Sequence, residues 1–263
     1  MARNLKITLA YDGLGFAGWQ VQPGLPTIQG ALVSAIEHLT GEKTLPQGSG
    51  RTDAGVHALA QVATVAIESP IPTENLRKAL NDVLPKSIRI LSIEVASQDF
   101  HARKAARAKT YRYRIYRDEI CPPFQARYVY HHPYPLNEDH MVQAAALVVG
   151  THDFTSFAAV DPERRDAPEM TNDSQSRIEH VEPSNIRTIF SSQFSRQGPE
   201  LVYEVRGSGF LHHMVRNLVG TFLMVGKRGP AQVNIQKILA ARDRSAAAAT
   251  APAHGLALVS VEY

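Results

Sequence analysis

Two hydrophobic periods alternate along the first third of the chain, and this alternation is what most limits the folds open to it. Apolar residues recur at every second position in some segments, as in a strand, and at helical spacing in others. The segments are strands at 4–13, 59–68 and 87–96 and helices at 28–39 and 73–84. A β-α-β-α-β order of this length predicts an α/β sandwich of ferredoxin-like type.

Cap and turn residues predict the ends of both helices. Thr27 precedes the first residue of the helical pattern and is the expected N-cap of the first helix, which Gly41 ends. Thr73 is the expected N-cap of the second helix, which stops before Pro85.

The remainder of the chain shows a second series of elements in a similar order. Its segments are strands at 109–117, 187–194, 200–207 and 256–263 and helices at 137–149, 212–225 and 233–243. A Pro-containing, acid-rich stretch at 158–185 has little periodicity, so we expect a surface insertion there.

The composition is that of a folded globular protein, with 44% hydrophobic and 20% charged residues. No apolar run approaches the roughly 20 residues that cross a bilayer. The N-terminus does not resemble a signal peptide, so we expect a cytoplasmic protein without membrane contact. The single cysteine, Cys121, allows neither an internal disulfide nor a CxxC metal pair.

Basic residues are concentrated in one short segment, although the net charge is only +3. Residues 103–117 hold seven Lys or Arg and no acid, interleaved with Tyr111, Tyr113 and Tyr116. A basic stripe with aromatic residues suits phosphate contact and base stacking in a nucleic acid. The alternative is an edge strand that carries its usual solvated charges.

The loop GSGRTDAGVH, residues 48–57, carries one carboxylate on a glycine-rich backbone. An aspartate in a loop most often forms a turn, because its side chain bonds the backbone two residues on. Here Gly50 and Gly55 leave room for close approach by another group, and Arg51 can steady a carboxylate or reach a phosphate. Asp53 is therefore a candidate nucleophile or base.

Glycines 13, 15 and 18 match the G-x-G-x-x-G pattern of dinucleotide-binding proteins. That fold needs a helix to begin at the third glycine, so that the helix N-terminus faces the pyrophosphate. Pro23 and Pro26 intervene before the helix starts, which argues against a nucleotide cofactor.

Adjacent histidines at 131–132 and at 212–213 invite a metal site. Neither pair has the H-x-x-x-H spacing that places two ligands on one helix face, and we therefore expect no metal. RNA contact and ordinary surface histidines are the remaining interpretations.

Arg216 lies within the strongly apolar helix predicted at 212–225. A charge on such a helix usually extends its head group to solvent. If Arg216 is buried instead, it needs an anion, and Asp53 is a plausible partner.

Five segments together resemble the tRNA pseudouridine synthase A family. They are GSGRTDAGVHA, FHARKAARAKTYRYRIYR, THDFTSF, GFLHHMVRNLVGT and APAHGLALVSVEY, in the order of the family, and the first is the most specific. The resemblance implies two RRM-like halves, at 1–105 and 106–263, that form an extended, mainly antiparallel sheet. Helices would pack on one side of it, and a basic active-site cleft would lie at the centre.

Roles for individual residues follow from the same resemblance. It implies that Asp53 is the nucleophile or base, that Arg51 helps to flip the target base, and that Tyr111 packs on the uracil and takes part in proton transfer. Arg216 would pair with the aspartate, and Leu258 would pack beside the site. Leu258 is the least specific of these assignments, since the last strand offers several apolar residues.

The implied reaction is the isomerisation of uridine to pseudouridine at positions 38, 39 and 40 of the tRNA anticodon stem-loop, without a cofactor. Its partners would be tRNA and a second copy of the chain in a homodimer. The residues we expect to contact RNA are Arg51, His57, Arg103, Lys104, Arg107, Lys109 and Arg112.

Two other classes of function remain open at this stage. A non-catalytic RNA-binding module would use the basic strand but gives no reason for Asp53 beside Arg51. A metal-dependent RNA hydrolase would use the histidines and would cleave its substrate.

Overall fold

A computed structural model describes residues 2–159 and 184–263. Within these ranges the strands are β1 (Arg3–Tyr11), β2 (Gln47–Gly48), β3 (His57–Ile67), β4 (Ile88–Val95), β5 (Ala108–Tyr116), β6 (Tyr130–His131), β7 (Gly150–Asp153), β8 (Ile186–Gln197), β9 (Glu200–Gly207) and β10 (Leu256–Glu262). The helices are α1 (Ile28–Thr40), α2 (Thr73–Val83), α3 (Glu138–Ala146), α4 (Met214–Arg228) and α5 (Ile235–Ala241).

The strands form one sheet in the order β4-β1-β3-β10-β5-β9-β8-β7. The first half of the chain runs β1-α1-β2-β3-α2-β4, and its strands lie in the order β4-β1-β3 with β2 on the far side of β3. The second half repeats this arrangement as β5-α3-β8-β9-α4-β10, in the order β10-β5-β9-β8. Both are the ferredoxin-like β-α-β-β-α-β arrangement, so the predicted fold class is confirmed.

The last strand, β10, joins the two halves. It runs antiparallel to β5, with Leu258 opposite Tyr111, and parallel to the start of β3, with Leu258 opposite Ala58. The sheet is therefore continuous from β4 to β7, and the division at 105 and 106 stays a prediction.

Burial alternates along the strands because successive side chains point to opposite faces of a sheet. Leu5, Ile7 and Leu9 of β1 are fully buried, whereas the residues between them are half-buried. In β5 the buried residues Tyr111, Tyr113 and Ile115 follow the same alternation, and both ends of the strand are buried as well. The apolar faces of α1, α2, α3 and α4 belong to the same core.

Helix α1 has the predicted caps, since the Thr27 hydroxyl accepts a hydrogen bond from the Gly30 amide at 3.1 Å and Gly41 is the C-cap. The predicted cap of α2 is wrong. Pro72 is the N-cap, and Thr73 is already the first helical residue, without a side-chain cap. Proline fixes φ, and with a ψ of 143° Pro72 lies outside the helical region, as an N-cap residue does.

Further elements differ from prediction. Helix α3 ends at Ala146, three residues before the end of the apolar run. The short strands β2, β6 and β7 were not predicted, because segments this short carry no usable periodicity. Most of the insertion predicted at 158–185, namely residues 160–183, lies outside the described residues. Among the helices described, none is long and apolar enough to cross a membrane.

Candidate active site

The loop between β2 and β3 is anchored by a buried amide. The Ser49 hydroxyl donates to Oε1 of Gln61 at 2.6 Å, and Nε2 of Gln61 donates to the Gly50 carbonyl at 3.0 Å. The Ser49 amide also donates to the Val62 carbonyl at 2.7 Å. Gln61 has no exposed surface. Sequence reasoning missed Gln61, although a glutamine within an apolar strand segment was the available signal.

Glycines of the 13–18 segment let that segment pack directly on this loop. The Trp19 amide donates to the Thr52 carbonyl at 3.0 Å. A Cβ atom at Gly18 would lie 2.6 Å from the same carbonyl oxygen, and Gly18 has a φ of +98°. A Cβ atom at Gly13 would lie 2.0 Å from the Val56 carbonyl oxygen. Gly13 and Gly18 therefore serve close backbone packing, whereas Gly15 has a φ of +88° and no atom within 4 Å of an added Cβ.

Asp53 contacts Arg216, as one of the two sequence-based alternatives predicted. Nη1 of Arg216 donates to Oδ2 of Asp53 at 2.9 Å, and the two side chains are about equally enclosed, at 15% and 16% exposure. Asp53 comes from the loop of the first half and Arg216 from α4 of the second. A charge-assisted hydrogen bond of this length holds the carboxylate in one orientation.

Arg216 is itself held in place by backbone. Its Nε donates to the Ala251 carbonyl at 2.9 Å, while the Ala251 amide donates to the Arg216 carbonyl at 3.1 Å. A cation in the first turn of a helix opposes the helix dipole, whereas an anion there is favoured. The nearby Asp53 carboxylate offsets that unfavourable placement.

The histidine pair lies against the same carboxylate. Nε2 of His212 is 3.7 Å from Oδ1 of Asp53, and Nε2 of His213 is 3.5 Å from Oδ2. His213 is the N-cap of α4 and has a left-handed φ of 58°, which costs a non-glycine residue about 1–2 kcal/mol. Burial lowers the pKa of His213, with Arg216 among the cations that add to the effect, although Asp53 opposes it.

Asp53, His212 and His213 could together hold a metal ion, because their ligand atoms lie within 4.8 Å of one another. Helical spacing could not reveal this cluster, since both histidines precede the first residue of α4. The Arg216 guanidinium on Oδ2 of Asp53 would repel a second cation at that carboxylate.

An aromatic pair lies on the helix-covered face of the sheet. The Tyr111 and Phe210 rings meet edge to face, with centroids 5.1 Å apart. Leu258, only 1% exposed, is the cross-strand neighbour of Tyr111. Phe210 was quoted in the sequence motif but not predicted as a site residue, because a lone aromatic before a helix is usually core.

The hydroxyl of Tyr111 is strongly perturbed. Burial, together with the neighbouring Tyr11 and the negative charge of Asp53, raises its pKa far above the ordinary value. Tyr111 is therefore a protonated phenol at neutral pH and can donate a proton or a hydrogen bond, but it is a poor base. Tyr11, which hydrogen-bonds Thr52 at 2.8 Å, has a pKa raised to about 12 by burial.

The predicted RNA-contacting residues do not share one surface. Lys109 lies on the same face of β5 as Tyr111 and donates to the Ser49 carbonyl at 2.6 Å. Arg112 lies on the opposite face and pairs with Glu204 at 3.0 Å, so the structure does not place it at this site. The stripe was treated as one surface, whereas strand alternation divides it between two.

His57 was also predicted to contact RNA, but the structure places it in the interior. It is 6% exposed, its Nδ1 accepts from the Gly13 amide at 3.1 Å, and its Nε2 lies 3.2 Å from the His254 carbonyl. Burial lowers the pKa of His57. A neutral ring with both nitrogens occupied is a structural histidine, and we do not retain it as an RNA contact.

The remaining predicted contacts are exposed. Arg51 lies on the loop two residues before Asp53, whereas Arg103, Lys104 and Arg107 lie in the segment that leads into β5. Their positions are compatible with RNA contact, which stays a prediction.

The THDFTSF segment packs against α4 and is hydrogen-bonded to it. Oδ1 of Asp153 accepts from both the amide and the hydroxyl of Thr155, at 3.0 and 2.6 Å. The carbonyl of buried Phe157 accepts from Nδ2 of Asn217, one residue after Arg216, at 2.7 Å. This part of the motif therefore positions the helix that carries Arg216.

Comparisons with known proteins find sequences similar to this chain over nearly its full length. A profile described as tRNA pseudouridine synthase matches residues 7–118 and 144–263. A tRNA pseudouridine synthase A of Solibacter usitatus is 53% identical over 261 residues, covering 99% of this chain and 100% of the relative. Proteins of the same name from Moorella thermoacetica and Limosilactobacillus reuteri are 44% and 43% identical, covering 98% of this chain and 99% and 96% of their own lengths.

Proposed function

The chain belongs to the tRNA pseudouridine synthase family and is an isomerase that acts on tRNA, and from this we propose that it converts uridine to pseudouridine at positions 38, 39 and 40 of the anticodon stem-loop. The observation that carries the proposal is the Asp53–Arg216 contact of 2.9 Å, which fixes a carboxylate beside Tyr111 at the junction of the two halves. We include in the proposal a homodimer, on the ground of the family resemblance, and a cytoplasmic location, as expected from the sequence.

The reaction moves one bond and one proton. The bond between N1 and C1′ breaks, the uracil turns, and a bond forms between C5 and C1′. The proton then leaves C5, and N1 ends with a proton, so no atom is lost and no oxidant is needed. The active site must supply a group that acts on the sugar and an enclosure for the detached base.

Asp53 acts on the sugar in this proposal. Because Arg216 engages Oδ2, the other oxygen, Oδ1, is the one presented to substrate. It either attacks C1′ or assists elimination at the ribose. Arg216 stabilises the carboxylate before attack and holds it in position, which is electrostatic preorganisation.

Tyr111, Phe210 and Leu258 enclose the base. An uridine in a stem must be extruded from its stack at a cost of a few kcal/mol. Packing on an aromatic ring returns about 1–3 kcal/mol per base, and phosphate attraction supplies the remainder. In this proposal Arg51, which is exposed on the loop that carries Asp53, enters the vacated stack.

The test uses an unmodified tRNA transcript incubated with the protein and no added cofactor. Pseudouridine mapped by carbodiimide treatment and primer extension should give stops at positions 38 to 40. A matched transcript with cytidine at these positions should give none. Intact RNA without stops would instead support a non-catalytic RNA-binding module, and cleavage that EDTA prevents would support a hydrolase.

A further inference from the structure

The ammonium of Lys109 occupies a cation-rich position beside the catalytic loop. It donates to the Ser49 carbonyl at 2.6 Å, and the side chain is half-buried. Burial, together with the positive charges of Arg103 and Arg187, lowers the pKa of Lys109 to about 8. The Lys109 amine is therefore held under the influence of two guanidinium groups, whose positive charges oppose its protonation.

Three separate segments bring these cations together. Lys109 comes from β5, Arg103 from the turn before it, and Arg187 from the start of β8. The Arg187 side chain passes Gly209, where a Cβ atom would lie 3.8 Å from its Nε. Its Nη1 donates to the Ser184 carbonyl at 2.8 Å, which fixes the direction of the guanidinium.

Across the sheet Lys109 is opposite Val261 of β10 and Gly207 of β9, neither of which titrates. Within the described ranges, the charged groups that act on Lys109 are thus the two arginines, and both are positive. Partly burying a cation costs free energy when no carboxylate acts on it, and an incoming anion would offset that cost.

The position of the cluster indicates which anion it would take. A Cβ atom at Gly207 would lie 3.2 Å from Cζ of Phe210, and Phe210 packs on Tyr111. Gly207 is the cross-strand neighbour of Lys109, so it links Lys109 to the Tyr111–Phe210 pair that encloses the base. On its other side the ammonium contacts the loop that carries Asp53.

Gly50 is part of the same arrangement. A Cβ atom there would lie 2.7 Å from Nζ of Lys109. The group that approaches this glycine is therefore an ammonium of the same chain, and any side chain at residue 50 would displace it.

We propose that Lys109, Arg103 and Arg187 bind a backbone phosphate of the tRNA next to the extruded uridine and thereby position the ribose against Asp53. The inference rests on the proposed function, since it takes tRNA as the ligand. A phosphodiester suits the cluster because it carries one negative charge and several acceptor oxygens.

Removing the ammonium should impair the binding and positioning of the tRNA more than it slows the chemical step. In Lys109→Met we expect KM for tRNA to rise roughly tenfold and kcat to fall by less. The slope of log Kd against log salt concentration should decrease by about one. Lys86→Met, which removes an exposed lysine of the turn before β4, is the matched control and should change neither quantity.

The pH dependence provides a readout that a purely structural role would not produce. Binding a phosphate favours the protonated amine, so affinity should be constant below about pH 8 and fall above it, by up to tenfold per pH unit. Lys109→Arg should bind without this decline, because arginine stays charged across the range. Arg103 and Arg187 are the charged groups that act on Lys109 in this arrangement.

Gly50→Ala keeps every charge and moves only the ammonium. We expect it to raise KM in the same direction as Lys109→Met, because the far end of a lysine side chain yields easily. Circular dichroism melts of all variants identify any loss of affinity that comes from unfolding.

The experiment measures tRNA affinity by filter binding and turnover by pseudouridine mapping, from pH 7 to 9.5 at fixed ionic strength. Inorganic phosphate should compete with tRNA in the unaltered protein more strongly than chloride of the same ionic strength, and should lose that advantage in Lys109→Met. Equal affinity and salt slope in Lys109→Met, or no decline above pH 8 in the unaltered protein, would overturn the inference. If the unaltered protein forms no pseudouridine, the proposed function fails instead.

Discussion

The two faces of strand β5 carry similar basic residues in different electrostatic surroundings. On the face that meets the catalytic loop, Lys109 lies among cations and Tyr111 lies beside Asp53. On the opposite face, Arg112 and Arg114 pair with glutamates of β9 at 3.0 and 2.6 Å. The charged groups that act on Lys109 on the first face are positive, whereas the arginines of the opposite face are neutralised by glutamates.

The difference shows that basic residues in a stripe do not by themselves mark a nucleic-acid site. Arginines that already pair with glutamates release little energy on meeting phosphate, since one anion only replaces another. A cation without such a partner gains the full interaction. The local balance of charge in space therefore distinguishes the two faces of the segment.

The largest expected effect lies on the catalytic face, at the carboxylate itself. Asp53→Asn keeps the shape of the side chain but removes the charge that acts on the ribose, so turnover should fall at least about 10³-fold. Affinity for tRNA should stay within a few-fold. Single-turnover pseudouridine formation and filter binding measure the two quantities.

Asp82→Asn, on the exposed side of α2, is the matched control for this change and should behave as the unaltered protein. If Asp53→Asn turned over substrate at an ordinary rate, Asp53 would have no chemical role. The contrast between the two faces would then concern binding alone.

The next largest effect is expected at the partner of the carboxylate. Arg216→Met should lower turnover about 10²- to 10³-fold, because Asp53 loses the donor that orients it. It should also reduce the free energy of unfolding by about 1–3 kcal/mol, since a partly enclosed carboxylate is left without its partner.

A double-mutant cycle with Asp53→Asn tests whether the pair acts as a unit. The two losses of turnover should be far from additive. Additive losses would mean that Arg216 contributes to the reaction independently of Asp53. Thermal melts of the four proteins separate the effect on stability from the effect on catalysis.

Local signals in the sequence were sufficient for several of these features. The bounds of α1 follow from Thr27 and Gly41 because capping depends on neighbouring residues only. The pairing of Arg216 with Asp53 could be anticipated because a buried cation within an apolar helix needs an anion, and Asp53 was already a candidate for the chemistry.

Features that depend on distant pairing could not be obtained in this way. Nothing in the final strand indicates that it lies between β3 and β5, because strand order follows from contacts across the whole chain. The same reason hid the contact of Lys109 with Ser49 and the approach of Phe210 to Tyr111. The two faces of the basic stripe were predictable from strand alternation and were overlooked.

A smaller loss is expected for Tyr111→Phe, which keeps the ring and removes the phenolic proton. Because its raised pKa leaves Tyr111 protonated, it serves as a donor, and kcat should fall about 10²-fold with KM unchanged. The activity of the unaltered protein should show no decline from Tyr111 up to about pH 10, since loss of the proton requires a pH above its raised pKa.

Tyr111→Ala is the companion variant, because it also removes the surface that packs on Phe210. It should raise KM as well as lower kcat. If Tyr111→Phe were fully active, the tyrosine would act by packing alone, and the proton would have to pass through another group.

The smallest effect is expected on the face that points away from the site. Arg112→Ala removes an ion pair whose side chains are 39% and 37% exposed, so the free energy of unfolding should drop by no more than about 1 kcal/mol. A cycle with Glu204→Ala measures the pair directly. Affinity for tRNA should change less than twofold, against the roughly tenfold change expected for Lys109→Met. Arg112→Ala could instead weaken tRNA binding as strongly as Lys109→Met and reduce the slope of log Kd against log salt concentration by the same amount. Both faces of β5 would then contact RNA, because only a cation that neutralises a phosphate changes that slope.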